Sequence, residues 1–566
     1  MKLTSETSIE ALNRKIREED LKQTGILGAD SEVTIYLSNG ESYTIESHLM
    51  PLLDIPEGKY NKILYGKNSL EKIVGAECDG DYMHLFIQNG KSVETKLIKN
   101  RLWVLANKDY QGKFNRLNGD RYYKYARYYT DVEKWEETNK IKNQYDLYKS
   151  YCPVESNFIA RGFTFFKGMQ IKDISVLSFD IESSGIVKDQ TSDVYLISNT
   201  FRVGDYTETK LFDFHDYSTR KAMLEAWCAW VREKDPSLII GHNIYMYDFP
   251  YLQHVAMLND TNLELGRDKS SLKISNWPSK FRKDGNEKIE YFKSRIWGRE
   301  IIDTFFLSFK YDVSRKYESN GLKQIIKQEG LEKQGRTFVD ASKIRNYIYD
   351  KEMWLKIRQY AIEDSDDSLK LFDIMAPSFF YFSQMVPKKF EDIINGASGS
   401  QLNTMLIRAY LQDNKAIPKG EPKKKFQGAI SHSIPGIYRN VWKVDVASEY
   451  PSVIRHFKLY NEKKDPEGYF LYITEELTKE RLKNKELGKT SKYYYDLEQS
   501  GKIGINSLYG LCGAPGLNFN DMNMAEFITA KGRDIIDTAT IWATGKNNLE
   551  WGWTPKEAED ENGEEI

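Results

Sequence analysis

Asp180 and Glu182 close the apolar run Val176-Leu177-Ser178-Phe179, two residues apart. On a strand, positions i and i+2 share a face, so both carboxylates point the same way and can hold one divalent ion or share two. Asp248 closes Gly241-His242-Asn243-Ile244-Tyr245-Met246-Tyr247-Asp248, directly after the apolar segment Leu238 to Ile240, which puts it at the start of a helix. Tyr360-Ala361-Ile362-Glu363-Asp364 falls inside a long helical run, where Tyr360 and Asp364 lie on one face at i and i+4. Each acid alone has an ordinary structural role open to it. Their order and settings together make a specific signal for carboxylate chemistry. Asp303, in Ile301-Ile302-Asp303-Thr304, is expected to serve only as a strand-end turn or cap.

A second group follows downstream. Trp442 to Ile454 reads as a strand, a tight turn and a helix start, with Asp445 at the strand end and Tyr450 just beyond it. In Lys502-Ile503-Gly504-Ile505-Asn506-Ser507-Leu508-Tyr509-Gly510, the residues Lys502, Asn506 and Tyr509 form one helical stripe at i, i+4 and i+7. An ordinary amphipathic helix would put apolar residues on that stripe. Arg481 and Lys485 lie one turn apart upstream.

The elements that must carry these groups alternate between strand and helix from Ile171 onward. The strand ending at Glu182, a helix near Arg220 to Arg232, the short strand Leu238 to Ile240 and a further helix predict an α/β domain. Before it, residues 1–170 mix short strands (Glu32 to Leu37, Tyr82 to Gln88) with turns and a Tyr-rich stretch, 120–150, expected to be helical. Asp79-Gly80-Asp81, between two apolar runs, reads as a β-turn. Ile417 to Lys425, with two prolines, a glycine and four lysines, reads as an exposed basic linker.

The three upstream motifs resemble those of the proofreading exonuclease of family B DNA polymerases, an RNase H-like domain with the patterns D-x-E, N-x(3)-[FY]-D and Y-x(3)-D. The resemblance implies two-metal phosphodiester hydrolysis. Asp180, Glu182, Asp248 and Asp364 would hold two Mg²⁺ or Mn²⁺ ions, which oxygen-only ligands favour over zinc. Tyr360 would position the water and Asn243 would contact a single-stranded 3′ end. The downstream motifs resemble polymerase motif A, with Asp445 as metal ligand and Tyr450 as the steric gate against a 2′-hydroxyl, and motif B. Lys502 would neutralise the triphosphate of a dNTP, Asn506 and Tyr509 would line the nascent base pair, and Arg481 and Lys485 would grip its phosphates. Glu449 departs from motif A, where leucine is usual; the carboxylate is expected either to turn to solvent or to add charge near the triphosphate. Phe426-Gln427-Gly428-Ala429 resembles the Y-x-G-[GA] element that tracks the template. Among viral members the chain looks closest to replicative polymerases of tailed bacteriophages.

The fold expectation is therefore multidomain, mixing α/β and α+β. Residues 1–170 form an N-terminal domain, 171–385 the exonuclease, 386–470 a linker and the first part of the palm, 471–512 the fingers, 513–545 a palm helix including Ala525 to Thr544, and 546–566 an acidic tail. The D-T-D hairpin of motif C should follow that helix, and no such motif follows it. The expected partners are primer-template DNA, single-stranded DNA 3′ ends and a second polypeptide carrying motif C and the thumb, with a sliding clamp as a further candidate. Two other readings compete: a stand-alone 3′→5′ DNA exonuclease with a vestigial palm, and a non-catalytic DNA-binding scaffold.

Composition agrees with this. The 566 residues suffice for several domains, and 40% apolar with 29% charged residues is an ordinary globular profile. The net charge of -2 argues against a nucleic-acid binder only until the last eleven residues are set aside; they carry -5, leaving +3 on the rest. Four scattered cysteines form no CxxC pair, and seven histidines form no HExxH, so neither a disulfide framework nor a zinc site is expected. With no long apolar span and no signal-like N-terminus, the expected location is the cytoplasm, or the host cytoplasm for a viral protein, with no membrane association.

Overall fold

The computed structural model describes residues 2–3, 12, 21–26, 32–37, 42–46, 60–110, 112–284, 287–431, 435–446, 448–547 and 550. The acidic end of the chain lies outside the described residues. The chain divides into two units, residues 1–64 and 65–566. In the first, Ser42–Glu46 lies between Lys2–Leu3 and Glu32–Leu37, and Leu21–Ile26 pairs on the far side of Glu32–Leu37.

The second unit opens with a three-stranded antiparallel sheet, β1 (Ile73–Asp79), β2 (Tyr82–Asn89) and β3 (Ser92–Lys99). Asp79-Gly80-Asp81 forms the β1–β2 turn as expected, with Gly80 at φ +49°, a left-handed conformation that glycine adopts without steric cost. The stretch 120–150 is not the helix expected. It is α-helical only over Val132–Glu137, while Tyr125–Tyr129 forms a strand, β5, against β4 (Leu102–Ala106). Five residues of β4 offer a complete ladder, and aromatic side chains suit a pleated surface better than a helix. Helix α1 (Pro153–Arg161) then packs its Phe158 on Phe165, ring centroids 4.4 Å apart.

The central sheet comprises β6 (Val176–Ser183), β7 (Val194–Val203), β8 (Tyr206–Asp213), β9 (Leu238–Gly241) and β10 (Glu300–Asp303), in the order β8-β7-β6-β9-β10. The first three strands are antiparallel; β9 and β10 run parallel to β6. Helices α2 (Arg220–Lys234) and α3 (Asp248–Leu258) fall where the alternation placed them. Helices α4 (Thr304–Tyr311), α5 (Leu322–Gln328) and the long α6 (Lys351–Met375) complete the domain.

Alternate residues of β6 divide between two environments. Leu177, Phe179 and Ile181 enter one apolar core with Trp227, Phe249 and Phe306. Val176 enters the other core, which also takes Ile73, Phe86, Phe158 and Phe166 from residues 73–166, Leu238 and Ile240 from β9, and Phe372, Phe380 and Phe390 from beyond the sheet. Phe166 stacks on Phe380 at 4.8 Å. Burying a ring of this size contributes about 2–3 kcal/mol.

Two short helices, Pro377–Ser383 and Phe390–Asn395, lead into α7 (Ser398–Gln412), and α8 (Glu449–His456), α9 (Tyr469–Leu487), α10 (Lys492–Cys512) and α11 (Met522–Thr544) follow. α7 and α10 touch backbone to backbone: a Cβ on Gly399 would stand 2.7 Å from the Gly510 carbonyl oxygen, so only glycine fits. The basic linker is exposed from Pro422 to Lys425, but its start is not. Ile417 is buried and pairs with Tyr123. Residues 441–446 are exposed and make no strand, contrary to expectation, because no neighbouring strand among the described residues offers them a ladder. No described helix is long and apolar enough to cross a membrane.

Candidate active site

β6 and α6 bring the first carboxylates together. Asp180 and Glu182 share the face of β6 opposite Leu177 and Phe179, and α6 crosses that face, joined to β7 by a hydrogen bond between the Ser365 and Thr200 hydroxyls (3.1 Å) and by the Arg202–Asp373 ion pair. Asp213, at the end of β8, fixes the start of α6 by accepting from Trp354 Nε1 at 2.9 Å and Arg358 Nη1 at 2.6 Å. Ligand oxygens of Asp180, Glu182 and Asp364 consequently lie within 4.8 Å of one another.

Asp248 stands beside this group but outside that set of three, and its charge is the largest electrostatic influence on Asp180. The loop before it is held by Asp303, which does more than the single cap expected: its carboxylate accepts from the N–H groups of Asn243 (2.7 Å), Tyr245 (3.1 Å) and Phe305 (2.9 Å). Asn243 sits at φ +70°, and its buried Oδ1 has no hydrogen-bond partner among the described residues. Tyr247 closes the other side by a 2.5 Å hydrogen bond with the Ser183 hydroxyl.

Two cations that the sequence reading missed complete the site. Lys323, on α5, donates to the Tyr360 hydroxyl and stands 3.7 Å from Asp364. Arg336 forks between Asp364, at 2.5 Å, and Asp367. Nothing in their local sequence marks them among 81 lysines and arginines, although Lys323 lies only one residue into a helix. Lys323→Met is expected to slow catalysis at this site by about 10- to 100-fold, the usual worth of a fixed charge or donor in a reaction site, with little change in melting temperature. Single-turnover digestion of a labelled oligonucleotide checks it.

Burial and mutual repulsion dominate the electrostatics. Burial pushes Glu182 up to about 8, with Asp364 adding to the rise. Asp248 is likewise up to about 8 through burial and then Asp303, and Asp180 is raised well above the ordinary carboxylate range by burial followed by Asp248, Glu182 and Asp364. Burial also raises Asp364, against the pull of Lys323 and Arg336. Glu182 Oε1 is buried without a hydrogen-bond partner among the described residues. Converging all-oxygen donors with an orphaned carboxylate oxygen fit Mg²⁺ or Mn²⁺.

This arrangement has a consequence for stability. Without a divalent ion, the folded chain binds more protons at Glu182 and Asp248 than the unfolded chain between about pH 4.5 and 8, so their contribution to stability falls as pH rises through that window. The melting temperature in chelator should therefore drop more steeply between pH 5.5 and 8 for the native sequence than for Glu182→Gln, and Mg²⁺ should recover the loss. Equal slopes would show that the carboxylates do not strain one another.

The downstream residues are placed less completely. Asp445 is exposed, and its charge adds to the rise of Glu449. Glu449 does not turn fully to solvent. It packs toward α11, where a Cβ on Gly532 would stand 3.1 Å from its Oε1, and that buried oxygen has no hydrogen-bond partner among the described residues. The Tyr450 and Tyr509 rings meet at 4.7 Å. Arg481 is engaged by Glu498 (2.7 Å) and the Ser448 hydroxyl (2.5 Å), which ties α9 to α10 and to the start of α8. Lys485, Lys502 and Asn506 are exposed. The segment around Phe426 is anchored to α11, with Arg533 donating to the Gln427 and Gly428 carbonyls at 3.0 and 2.6 Å.

Residues 115–325 match the family model described as DNA polymerase family B, exonuclease domain. The chain is 22% identical over 435 residues to a DNA polymerase of Desulfurococcus sp. (strain Tok), covering 69% of this chain and 54% of that protein. It is 24% identical over 406 residues to the DNA polymerase delta catalytic subunit of Caenorhabditis elegans, covering 64% and 37%. The solved family B DNA polymerase of the hyperthermophilic archaeon Pyrobaculum calidifontis superposes with a TM-score of 0.65 at 16% identity, over 83% of this chain and 71% of that one. The chain spans about half the length of the archaeal relative it matches. Residues 115–325 are therefore similar to a family B exonuclease domain, and the mixed α/β fold is like that of the solved polymerase.

Proposed function

We propose that this chain, which carries the exonuclease domain of a family B DNA polymerase, removes nucleotides from single-stranded DNA 3′ ends and supplies part of a polymerase site. The observation that carries the reading is the convergence of Asp180, Glu182 and Asp364 within 4.8 Å, with Asp248 against Asp180. Asp180, Glu182 and Asp364 would hold one divalent ion, and Asp180 with Asp248 a second. The pair would supply a hydroxide-like nucleophile at neutral pH and charge stabilisation at phosphorus and at the leaving oxygen. The Tyr360 hydroxyl, steadied by Lys323, orients the attacking water, and the Lys323 ammonium faces the charge that develops on the phosphate. Asn243 Oδ1 is free to accept from the terminal nucleotide. The bond from phosphorus to the penultimate 3′-oxygen breaks, a new bond to the water oxygen forms, and a nucleoside 5′-monophosphate leaves.

For the polymerase half, Asp445 would be the motif A metal ligand, Tyr450 the steric gate, and Lys502, Asn506, Tyr509, Arg481 and Lys485 the contacts to the incoming dNTP. Such a site also needs a second metal-bridging carboxylate and a thumb, and a second polypeptide that carries them would make this chain one subunit of a split polymerase. Asp445, exposed on a segment without regular structure and with no partner strand among the described residues, supports that reading.

A 5′-labelled single-stranded oligonucleotide tests the first half. With Mg²⁺ it should shorten one nucleotide at a time from its 3′ end, and in chelator it should stay intact. Cleavage from the 5′ end or internally would refute the proposal.

A further inference from the structure

The exposed polar stripe of helix α10 opens onto a cavity. Near Lys502 and Asn506 it meets the end of α4 across a cavity of about 390 Å³, lined on the exonuclease side by Lys310, Tyr311 and Ser314 and on the α10 side by Gln499, Lys502 and Asn506. That volume lies within the range of small-molecule sites, about 300–1,000 Å³.

The lining is one-signed. It contains two lysines and no carboxylate, in a chain with slightly more acids than bases. The Lys502 and Asn506 side chains make no hydrogen bond or ion pair among the described residues. Lys310 donates to the Gly396 carbonyl at 2.9 Å and has no acidic partner; burial, with Arg282 nearby, lowers its ammonium to about 8. Acids near the lining are committed elsewhere: Asp496 to Lys492, Glu329 to Lys316, and Asp312 to the backbone N–H groups of Lys316 and Tyr317. An anion entering here would give both Lys310 and Lys502 a partner of opposite charge. Tyr311 adds an aromatic face and Ser314, Gln499 and Asn506 add neutral donors, the mixture that receives a phosphate attached to a sugar and base.

We propose that this cavity is a phosphate site built across the seam between the exonuclease domain and α10, taking one phosphate of a nucleoside triphosphate or of a single-stranded DNA 3′ end. It deepens the reading of Lys502 and Asn506 as nucleotide contacts, and rests on that reading for its nucleotide arm. The new element is that Lys310 and Ser314 of the exonuclease domain complete the site, so that an occupant holds α10 and α4 together.

The test measures equilibrium binding of dATP and of a fluorescent eight-nucleotide oligo-dT to the full chain in chelator. Lys310→Met and Lys502→Met should each weaken the same probe by about tenfold, as loss of one charge-assisted phosphate contact does. Lys502→Arg should stay within about twofold of the native chain. Ser314→Asp, at an exposed position, should weaken the probe by bringing in a negative charge while leaving both lysines in place, which keeps the test informative if Lys310→Met fails to fold. Loss confined to dATP assigns the site to a nucleotide, and loss confined to oligo-dT assigns it to a DNA end. If Lys502→Met weakens binding while Lys310→Met, folded, and Ser314→Asp leave it unchanged, the site does not span the seam and the proposal is wrong; unchanged binding in all three also overturns it. Mg²⁺-dependent digestion by the native chain scores the exonuclease reading separately.

Discussion

Replacing Asp180 and Glu182 together by alanine should reduce digestion of single-stranded DNA by at least about a thousandfold, or roughly 4 kcal/mol of transition-state stabilisation. Asp180 is the carboxylate closest in effect to all the others, so its loss disrupts both proposed ion positions at once, and Glu182 carries the buried oxygen that has no partner within the protein. The fold should survive, because the core-facing residues of β6 are Leu177, Phe179 and Ile181, none of which changes. In chelator at pH 8 the variant should melt no lower than the native chain, since it removes two carboxylates from a group of like charges. Gel analysis of a labelled oligonucleotide with a melting curve on the same preparation gives both results. Substantial digestion by a folded double variant would mean that the reaction happens elsewhere.

Primer extension should be undetectable with this chain alone, and should rise by at least about a thousandfold when a polypeptide carrying a two-carboxylate hairpin and a thumb is added. Two ions about 4 Å apart need ligands on both sides. Asp445 supplies one side, and Glu449 is turned toward α11 with its carboxyl raised by burial and then by Asp445, so it is a poor substitute. Asp445→Ala in the mixture should abolish extension while leaving digestion of single-stranded DNA intact. Templated extension by the isolated chain at a comparable rate would defeat the split-site proposal.

The parts of the site legible in the sequence are those where function and local periodicity coincide. Asp180 and Glu182 had to share a strand face, Tyr360 and Asp364 a helix face, and both elements formed as their apolar patterns required. Lys323 and Arg336 were illegible because they reach Asp364 through tertiary packing, from a short helix and a loop whose spacing to α6 is set by no repeat. Asp303 was read correctly as a cap, but its hold on the Asn243 loop depends on β9 and β10 lying side by side, which no stretch of ten residues discloses. The misread segments share a cause. Tyr125–Tyr129 became a strand because β4 was there to pair with it, and residues 441–446 did not become one because no described strand was. Strand identity depends on a neighbour; helix identity mostly does not.

The core that joins Ile73 and Phe86 to Phe380 and Phe390 also sets a clock on synthesis. Its first members leave the ribosome about 300 residues before its last, and at about 5–20 residues per second the nascent β1–β3 sheet waits on the order of 15–60 s with an uncovered apolar face. Slowing translation between the codons for residues 100 and 370 should therefore lower the soluble yield, and a holdase chaperone present during that interval should recover it.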